Sequence, residues 1–311
     1  MSINVYWMQI GGCGGDTLSF LNADAPNIAE MFQSLDIDLL WHPSLSNKSV
    51  PEHEQIVADI LAEKLKLDVL IVEGSVIHGP AGSGLFDTRD GKPTKDFASQ
   101  LAQYAQVVLA AGTCASFGGF GVDDMMESTG LQFCKQKKGG LLGADFLARS
   151  GQPVINLAGC PCHHDILAGA ITAVANGIVL KLDQFNRPKE WFSTLIHQGC
   201  TRNEYHEYRV EEEKFGEKGC LFFHMGCQGP LVSGVCNTHL WNQHSSKTRV
   251  GVPCFGCTSP DFPMNTPFFD TNNIEGVPVK LPSGVDRAHY MVYKDMAAAA
   301  APERLKNKGN A

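Results

Sequence analysis

The segment Asp68-Val-Leu-Ile-Val72-Glu73-Gly74-Ser75 runs apolar without alternation and then stops at a charge and a glycine. A strand with one face in water alternates apolar and polar residues. An unbroken run of this length fits a strand covered on both faces, as in a parallel sheet. Residues 106–111 repeat the signature and end at Gly112-Thr-Cys114-Ala-Ser-Phe-Gly118-Gly119; residues 153–157 do so again and end at Gly159-Cys160-Pro161-Cys162. Upstream, residues 4–9 form a short apolar strand running into Gly11-Gly-Cys13-Gly-Gly-Asp16, and residues 38–41 suggest another that ends at His42-Pro43.

Between these runs the period changes. Residues 52–65 place Ile56, Ile60, Leu61 and Leu65 on one helical face. Helices are also expected from about Thr17, over 97–105 and over 166–176, the last stopping at Gly177. Alternating strand and helix predicts an α/β fold with a doubly wound parallel sheet, flavodoxin-like in outline. Ligands of such sheets lie beyond the carboxyl ends of the strands. Cys13, Cys114 and Cys160 each follow a strand end, so the topology gathers three sequence-distant thiols at one sheet edge. Glu73 ends a strand at that edge, and His42, His78, His163 and His164 stand near strand ends, where a hydrogen bond to a metal ligand would tune it. Trp7 and Trp41 read as core or interface aromatics. The Gly11–Asp16 turn lacks both the glycine spacing of a dinucleotide fingerprint and the lysine of a phosphate loop. It reads either as a tight βα turn or as a place where the backbone approaches a ligand closely.

A proline among mixed charges near residues 183–190 marks a boundary. Residues 1–185 are expected to form the sheet domain, 186–285 a second domain, and 286–311 a C-terminal tail without visible chemistry. The second domain shows little periodicity. It carries His197-Gln-Gly-Cys200, Cys220, Cys227, Cys236 and Cys254-Phe-Gly-Cys257. Cysteine and histidine at such spacing are the ligand set of iron–sulfur clusters or structural zinc. Independent thiols or disulfides explain it less well, because free cysteines seldom sit three apart beside a histidine. A segment without a regular apolar face is expected to be held together by its metal sites.

Composition narrows the classes. With 311 residues and 43% apolar content the chain can bury a full core without disulfides. Eleven cysteines, an odd number in so long a chain, point to a reducing compartment. A net charge of −8 with no concentrated basic patch argues against a nucleic-acid partner. The first residues show no signal sequence and no run of eighteen apolar residues occurs, so a cytoplasmic location is expected, with any membrane association carried by a partner.

Taken together, Cys13-x-x-Asp16, Gly112-Thr-Cys114-Ala, Gly159-Cys160-Pro161, His197-x-x-Cys200, Gly219-Cys220-Leu221, Gly226-Cys227-x-Gly229-Pro230, Cys236 before Trp241-Asn242, and Pro253-Cys254-x-Gly-Cys257-x-x-Pro260 span nearly the whole chain. The set resembles the small, electron-transferring subunit of NiFe hydrogenases. Residues 242–250 and the N-terminus resemble the cytoplasmic uptake branch of cyanobacteria and aerobic hydrogen-scavenging bacteria. The resemblance implies an iron–sulfur oxidoreductase subunit with three clusters. Cys13, Cys114 and Cys160 would hold a proximal cluster; Cys236, Cys254 and Cys257 a medial 3Fe–4S cluster; His197, Cys200, Cys220 and Cys227 a distal one. Proximal and distal clusters would be 4Fe–4S or 3Fe–4S. Hydrogen would be split on a large-subunit partner, with a quinone or redox protein as acceptor and heterodimers joined in a higher oligomer. A hydrogen-sensing regulatory hydrogenase, in contact with a kinase, is the alternative. Glu73 would lie near the subunit interface, in a proton or structural role.

The sequence departs from the family pattern at three places. Asp16 stands where a fourth proximal cysteine is usual; it either ligates iron through oxygen or caps the following helix. Gly15 and Gly119 stand where one oxygen-tolerant branch places additional cysteines. Cys134 and Cys162 are left over, Cys134 as a plain thiol and Cys162 within reach of the proximal site. The related small subunit of respiratory complex I shares the sheet but lacks a second half of this kind.

Overall fold

The computed structural model describes residues 2–264 and 272–306. It contains the expected parallel sheet, built of β1 (Ile3–Gln9), β2 (Ile37–Trp41), β3 (Leu67–Glu73), β4 (Ala105–Ala111) and β5 (Ile155–Leu157) in the order β2-β1-β3-β4-β5. Every pairing in it is parallel. The helices of this part are α1 (Gly15–Leu21), α2 (Ile28–Ser34), α3 (Val50–Leu61), α4 (Thr94–Ala102), α5 (Gly112–Phe117) and α6 (His164–Ala175). Tyr6, Met8, Leu70, Val72, Val108 and Ala110 of the strands bury one face against Ile60 of α3 and Ala98 and Leu101 of α4. On β1, Trp7 turns the other way and stacks on Phe20 of α1 at 5.6 Å.

Two helices differ from expectation in length. The periodicity extends α3 to residue 65, but the helix ends at Leu61, and Glu63 takes a left-handed backbone with φ 56°. Leu65 still packs on the core, from the loop, which is why the pattern ran on. The helix expected over 97–105 spans Thr94–Ala102. Ala105 continues its apolar spacing, yet it is extended and pairs with Leu67 across β3 and β4.

The chain divides into two compact units: the described residues of Met1–Trp191 with Cys257–Pro263, and those of Phe192–Gly256 with Met264–Ala311. The division falls later than residue 185 because residues 186–187 are tied into the first unit. Asn186 O accepts from Asn156 N–H at 2.9 Å. The Arg187 guanidinium donates to Asp183 Oδ2 and to Thr258 O at 3.0 Å. Residues 286–306 are likewise no loose tail. They hold α7 (Arg287–Ala300), opened by Asp286, whose side chain accepts from His289 N–H. Tyr290 of α7 is buried on Phe223, with ring centroids 5.1 Å apart, and its hydroxyl donates to Glu211 Oε2 at 2.6 Å. An aromatic anchor seven residues before a run of five alanines is an easy helical signal to overlook in an alanine-rich terminus. No helix among the described residues is long and apolar enough to cross a membrane.

Candidate metal centres

In the first unit, strand register builds one edge. Gln9 pairs with Glu73, Glu73 with Ala111, and Ala111 with Leu157, so four strands end level. The turns that follow them carry Cys13, Cys114 and Cys160. Cys114 and Cys160 both lie within electrostatic reach of Cys13. Cys160 is pushed up to about 12 by burial and by Cys257, Cys114, Asp16 and Cys13 around it, and Cys114 to about 11 by burial and by Asp16 and Cys13. Free thiols as hard to ionise as Cys114 and Cys160 would not stand together as thiolates unaided; the charge of bound iron would supply what partial burial removes. The backbone leaves room beside the sulfurs. A Cβ at Gly119 would stand 2.7 Å from Cys114 Sγ, and one at Gly15 3.1 Å from Cys13 Sγ. Both glycines thus lie against the sulfurs of Cys114 and Cys13, where the resemblance places additional cysteines.

Asp16 does not cap α1. The N-cap residue is Gly14, in left-handed conformation and with no side-chain cap. The first-turn donors go instead to Glu73, whose Oε1 accepts from Asp16 N–H at 2.9 Å and Thr17 N–H at 3.0 Å. Its Oε2 accepts from Trp7 Nε1 at 3.1 Å, Gln9 Nε2 at 3.3 Å and the Thr17 hydroxyl. A carboxylate at the positive end of a helix satisfies the donors that the helix leaves unpaired. Glu73 is therefore an internal anchor, and the Asp16 side chain is released toward the thiols. Its Oδ1 accepts from Cys162 N–H at 2.6 Å. Burial pushes its carboxyl up to about 7, against the pull of that N–H.

The remaining sequence candidates here are accounted for. Cys162 is buried, its Sγ 3.6 Å from His163 O, and serves Asp16 through its backbone. Cys134 is half-buried in a two-residue ribbon, Phe133–Cys134 with Lys137–Lys138. His42 bonds Thr17 Oγ1 at 3.2 Å, His78 bonds Thr129 Oγ1 at 2.9 Å, and His163 accepts from Asp165 N–H at 3.2 Å as the N-cap of α6. His164 Nδ1 lies 2.8 Å from Asp165 Oδ1. Trp7 is a core residue through Glu73, and Trp41 packs on the ring of His53 at 4.2 Å.

In the second unit His197, Cys200, Cys220 and Cys227 line one cavity, with Arg202, Leu221, Phe222, Pro230 and Thr248. Backbone N–H groups point at each sulfur. Arg202 N–H donates to Cys200 Sγ at 3.4 Å and Cys254 N–H to Cys227 Sγ at 3.3 Å. Cys220 and Cys227 also accept from Phe222 and Gly229. Burial lifts Cys220 to about 12. Buried thiols surrounded by N–H donors beside one imidazole are a fit for thiolate ligands of an iron–sulfur cluster. Cys254, whose Sγ accepts from Gly256 N–H at 3.4 Å, and Cys236 join the apolar cluster of Ile196, Leu221 and Met225. Cys257 belongs to the first unit, where Thr113 donates to its carbonyl oxygen.

Two residues here carry no mark in the sequence. Arg202 is buried and donates through Nε to Thr248 O at 2.6 Å and through Nη1 to Glu217 O and Gly219 O at 2.7 and 2.6 Å. It clamps three loop segments around the cavity. Arg202→Lys is expected to cost about 2 kcal/mol, because a point charge cannot span the fork. The effect should be read as faster hydrogen exchange at Cys220 N–H, which Val210 O holds at 2.8 Å. The other is His206, which lies beside Cys220. A histidine nine residues after the candidate ligand His197 was the available signal, but spacing alone does not say which way its ring turns.

Comparison with known proteins agrees with this geometry. Residues 192–270 match the family described as NiFe/NiFeSe hydrogenase small subunit, C-terminal. Residues 13–174 match the family of the NADH ubiquinone oxidoreductase 20 kDa subunit. The chain is similar to the F420 non-reducing hydrogenase I small subunit of Methanosarcina mazei, 31% identical over 83% of this chain and 73% of that protein. Its fold is similar to an actinobacterial-type NiFe-hydrogenase from Ralstonia eutropha H16, with TM-score 0.78 and 24% identity over 99% of this chain and 92% of that one. The Ni-Fe-Se hydrogenase from Desulfomicrobium baculatum is similar at TM-score 0.74 and 25% identity, over 88% of this chain and all of that one. The first half alone fits both hydrogenases and the respiratory complex; the second half, with its histidine and cysteines, separates them. The chain belongs to the NiFe hydrogenase small-subunit family and is one subunit of a heteromeric hydrogenase.

Proposed function

We propose that this chain is the electron-relay subunit of a hydrogen-oxidising, uptake-type NiFe hydrogenase, working in the cytoplasm and delivering electrons to a quinone or a redox protein. The observation that carries the reading is the cavity of His197, Cys200, Cys220 and Cys227, in which every sulfur accepts a backbone N–H. When bound, iron–sulfur clusters supply one-electron redox centres. Cys13, Cys114 and Cys160 would hold the proximal cluster, with the Asp16 carboxylate as the candidate fourth ligand. Cys236, Cys254 and Cys257 would hold the medial one, of 3Fe–4S type. His197, Cys200, Cys220 and Cys227 would hold the distal one. To hold iron the Asp16 carboxyl, lifted to about 7 by burial, would have to be in its deprotonated form, which a nearby positive charge would favour. Packing of Leu221, Met225 and Ile196 behind the second unit's thiols excludes water from that side. A neutral imidazole in the distal set removes one negative charge relative to thiolate and so favours the reduced state.

The test is metal analysis and paramagnetic resonance of the complex purified without oxygen from its native host. Nickel with an excess of iron, and loss of one cluster signal together with hydrogen-dependent acceptor reduction in Cys220→Ser, are expected. Zinc in place of both metals, or a Cys220→Ser enzyme with every cluster signal intact, would overturn the reading.

A further inference from the structure

His206 Nδ1 lies 3.5 Å from Cys220 Sγ, within hydrogen-bonding range for a sulfur acceptor. Its ring is held on several sides. It stacks on Phe223 at 5.6 Å with an interplanar angle of 10°, meets Phe222 edge-on at 5.5 Å, and sits 4.8 Å from the ring of His197. Phe222 and Phe223 follow Cys220 in the same turn, so the backbone that aims the sulfur also aims the walls of the imidazole slot. Phe223 is braced in turn by Tyr290 at 5.1 Å and by the Arg209 guanidinium at 4.6 Å.

We propose that His206 is a positioning residue that tunes the distal cluster by donating its Nδ1–H to the Cys220 sulfur. This rests on the reading of His197, Cys200, Cys220 and Cys227 as the ligands of one cluster. A metal-bound thiolate carries no proton and can only accept, so the facing imidazole nitrogen must be the protonated one. The bond draws charge from the sulfur. It therefore stabilises the reduced cluster, which holds one more electron, over the oxidised one, and raises the potential. Cys200 and Cys227 receive backbone donors, which substitution leaves in place. The imidazole at Cys220 is a side-chain donor and can be removed alone.

The experiment is a redox titration of the intact complex, followed by paramagnetic resonance, in the wild type, His206→Phe and His206→Asn. Phenylalanine fills the slot without the donor, and the asparagine amide restores an N–H near the Nδ1 position. In His206→Phe the distal oxidised-to-reduced ratio at fixed potential is expected to rise about three- to tenfold, the worth of one ordinary hydrogen bond. His206→Asn should recover most of this, with the signal type and iron content unchanged. Equal midpoints in all three proteins, or the same shift in both variants, would overturn the proposal. Should a variant fail to load iron, the wild type labelled with ¹⁵N-histidine decides. A second, weakly coupled histidine nitrogen on the distal signal is expected, and a single one overturns the inference. His197→Cys separates the two levels. If it leaves every cluster signal unchanged, the ligand set itself is wrong; if it alters the distal signal while the His206 variants do not, only the role of His206 falls.

Discussion

Glu73→Ala is expected to destabilise the first unit by about 3–5 kcal/mol, the range for removing one partner from a buried charged network. The carboxylate is buried and takes five donors, two of them the N–H groups of Asp16 and Thr17 that open α1. Alanine leaves these without an acceptor, and each buried unpaired donor costs about 1–3 kcal/mol. Glu73→Gln should be only partly better. Its amide offers an N–H₂ where Trp7, Gln9 and Thr17 all donate, so one face of the network becomes donor against donor. Denaturant unfolding followed by tryptophan fluorescence reads the loss directly, since Trp7 Nε1 is one of the donors. The same change should lower iron retention at Cys13, because Glu73 holds the helix that the Cys13 turn leads into. An alanine variant within 1 kcal/mol of the wild type would show that the turn is held elsewhere. For an interface or proton role, Glu73 would have to keep a free oxygen. Both of its oxygens are occupied within the fold, which favours the structural role of the two.

Gly112→Ala carries the second large effect. Gly112 has φ +80°, and a Cβ there would stand 2.2 Å from Asp16 Oδ2 and 2.6 Å from Oδ1. Left-handed backbone costs a residue with a Cβ about 1–2 kcal/mol, and overpacking a tight site adds about 1–3 kcal/mol. The carboxyl cannot slide aside at no cost, because Oδ1 is held by Cys162 N–H at 2.6 Å. A stability loss of about 2–5 kcal/mol is expected, together with an altered proximal signal in paramagnetic resonance as Asp16 is driven from its position. A destabilised protein with an unchanged proximal signal would remove Asp16 from the ligand set while leaving the packing argument intact. Unchanged stability would mean that α1 yields more easily than its anchoring by Glu73 allows.

The sheet and the gathering of Cys13, Cys114 and Cys160 were legible in the sequence for one physical reason. A parallel strand buried on both faces writes itself as an unbroken apolar run, and the level ends of such strands bring together whatever follows them. The family was legible too, since ligand spacing in the second half is local and survives without knowledge of the fold. Helix ends were less so. Leu65 and Ala105 belong to the core without belonging to their helices, and periodicity cannot separate the two. The hydrogen bonds around the candidate metal sites are visible only in the tertiary structure. The sequence left Asp16 open as either an iron ligand or a helix cap, and only the fold shows Glu73, 57 residues away, taking the first-turn donors instead. Arg202 closes the cavity of His197, Cys200, Cys220 and Cys227 on a carbonyl 46 residues distant. His206, 14 residues before Cys220, meets its sulfur only because both are folded onto the same aromatic turn. Ligands announce themselves by chemistry and spacing. The groups that orient and tune them act through single hydrogen bonds, whose partners exist only after the chain has folded.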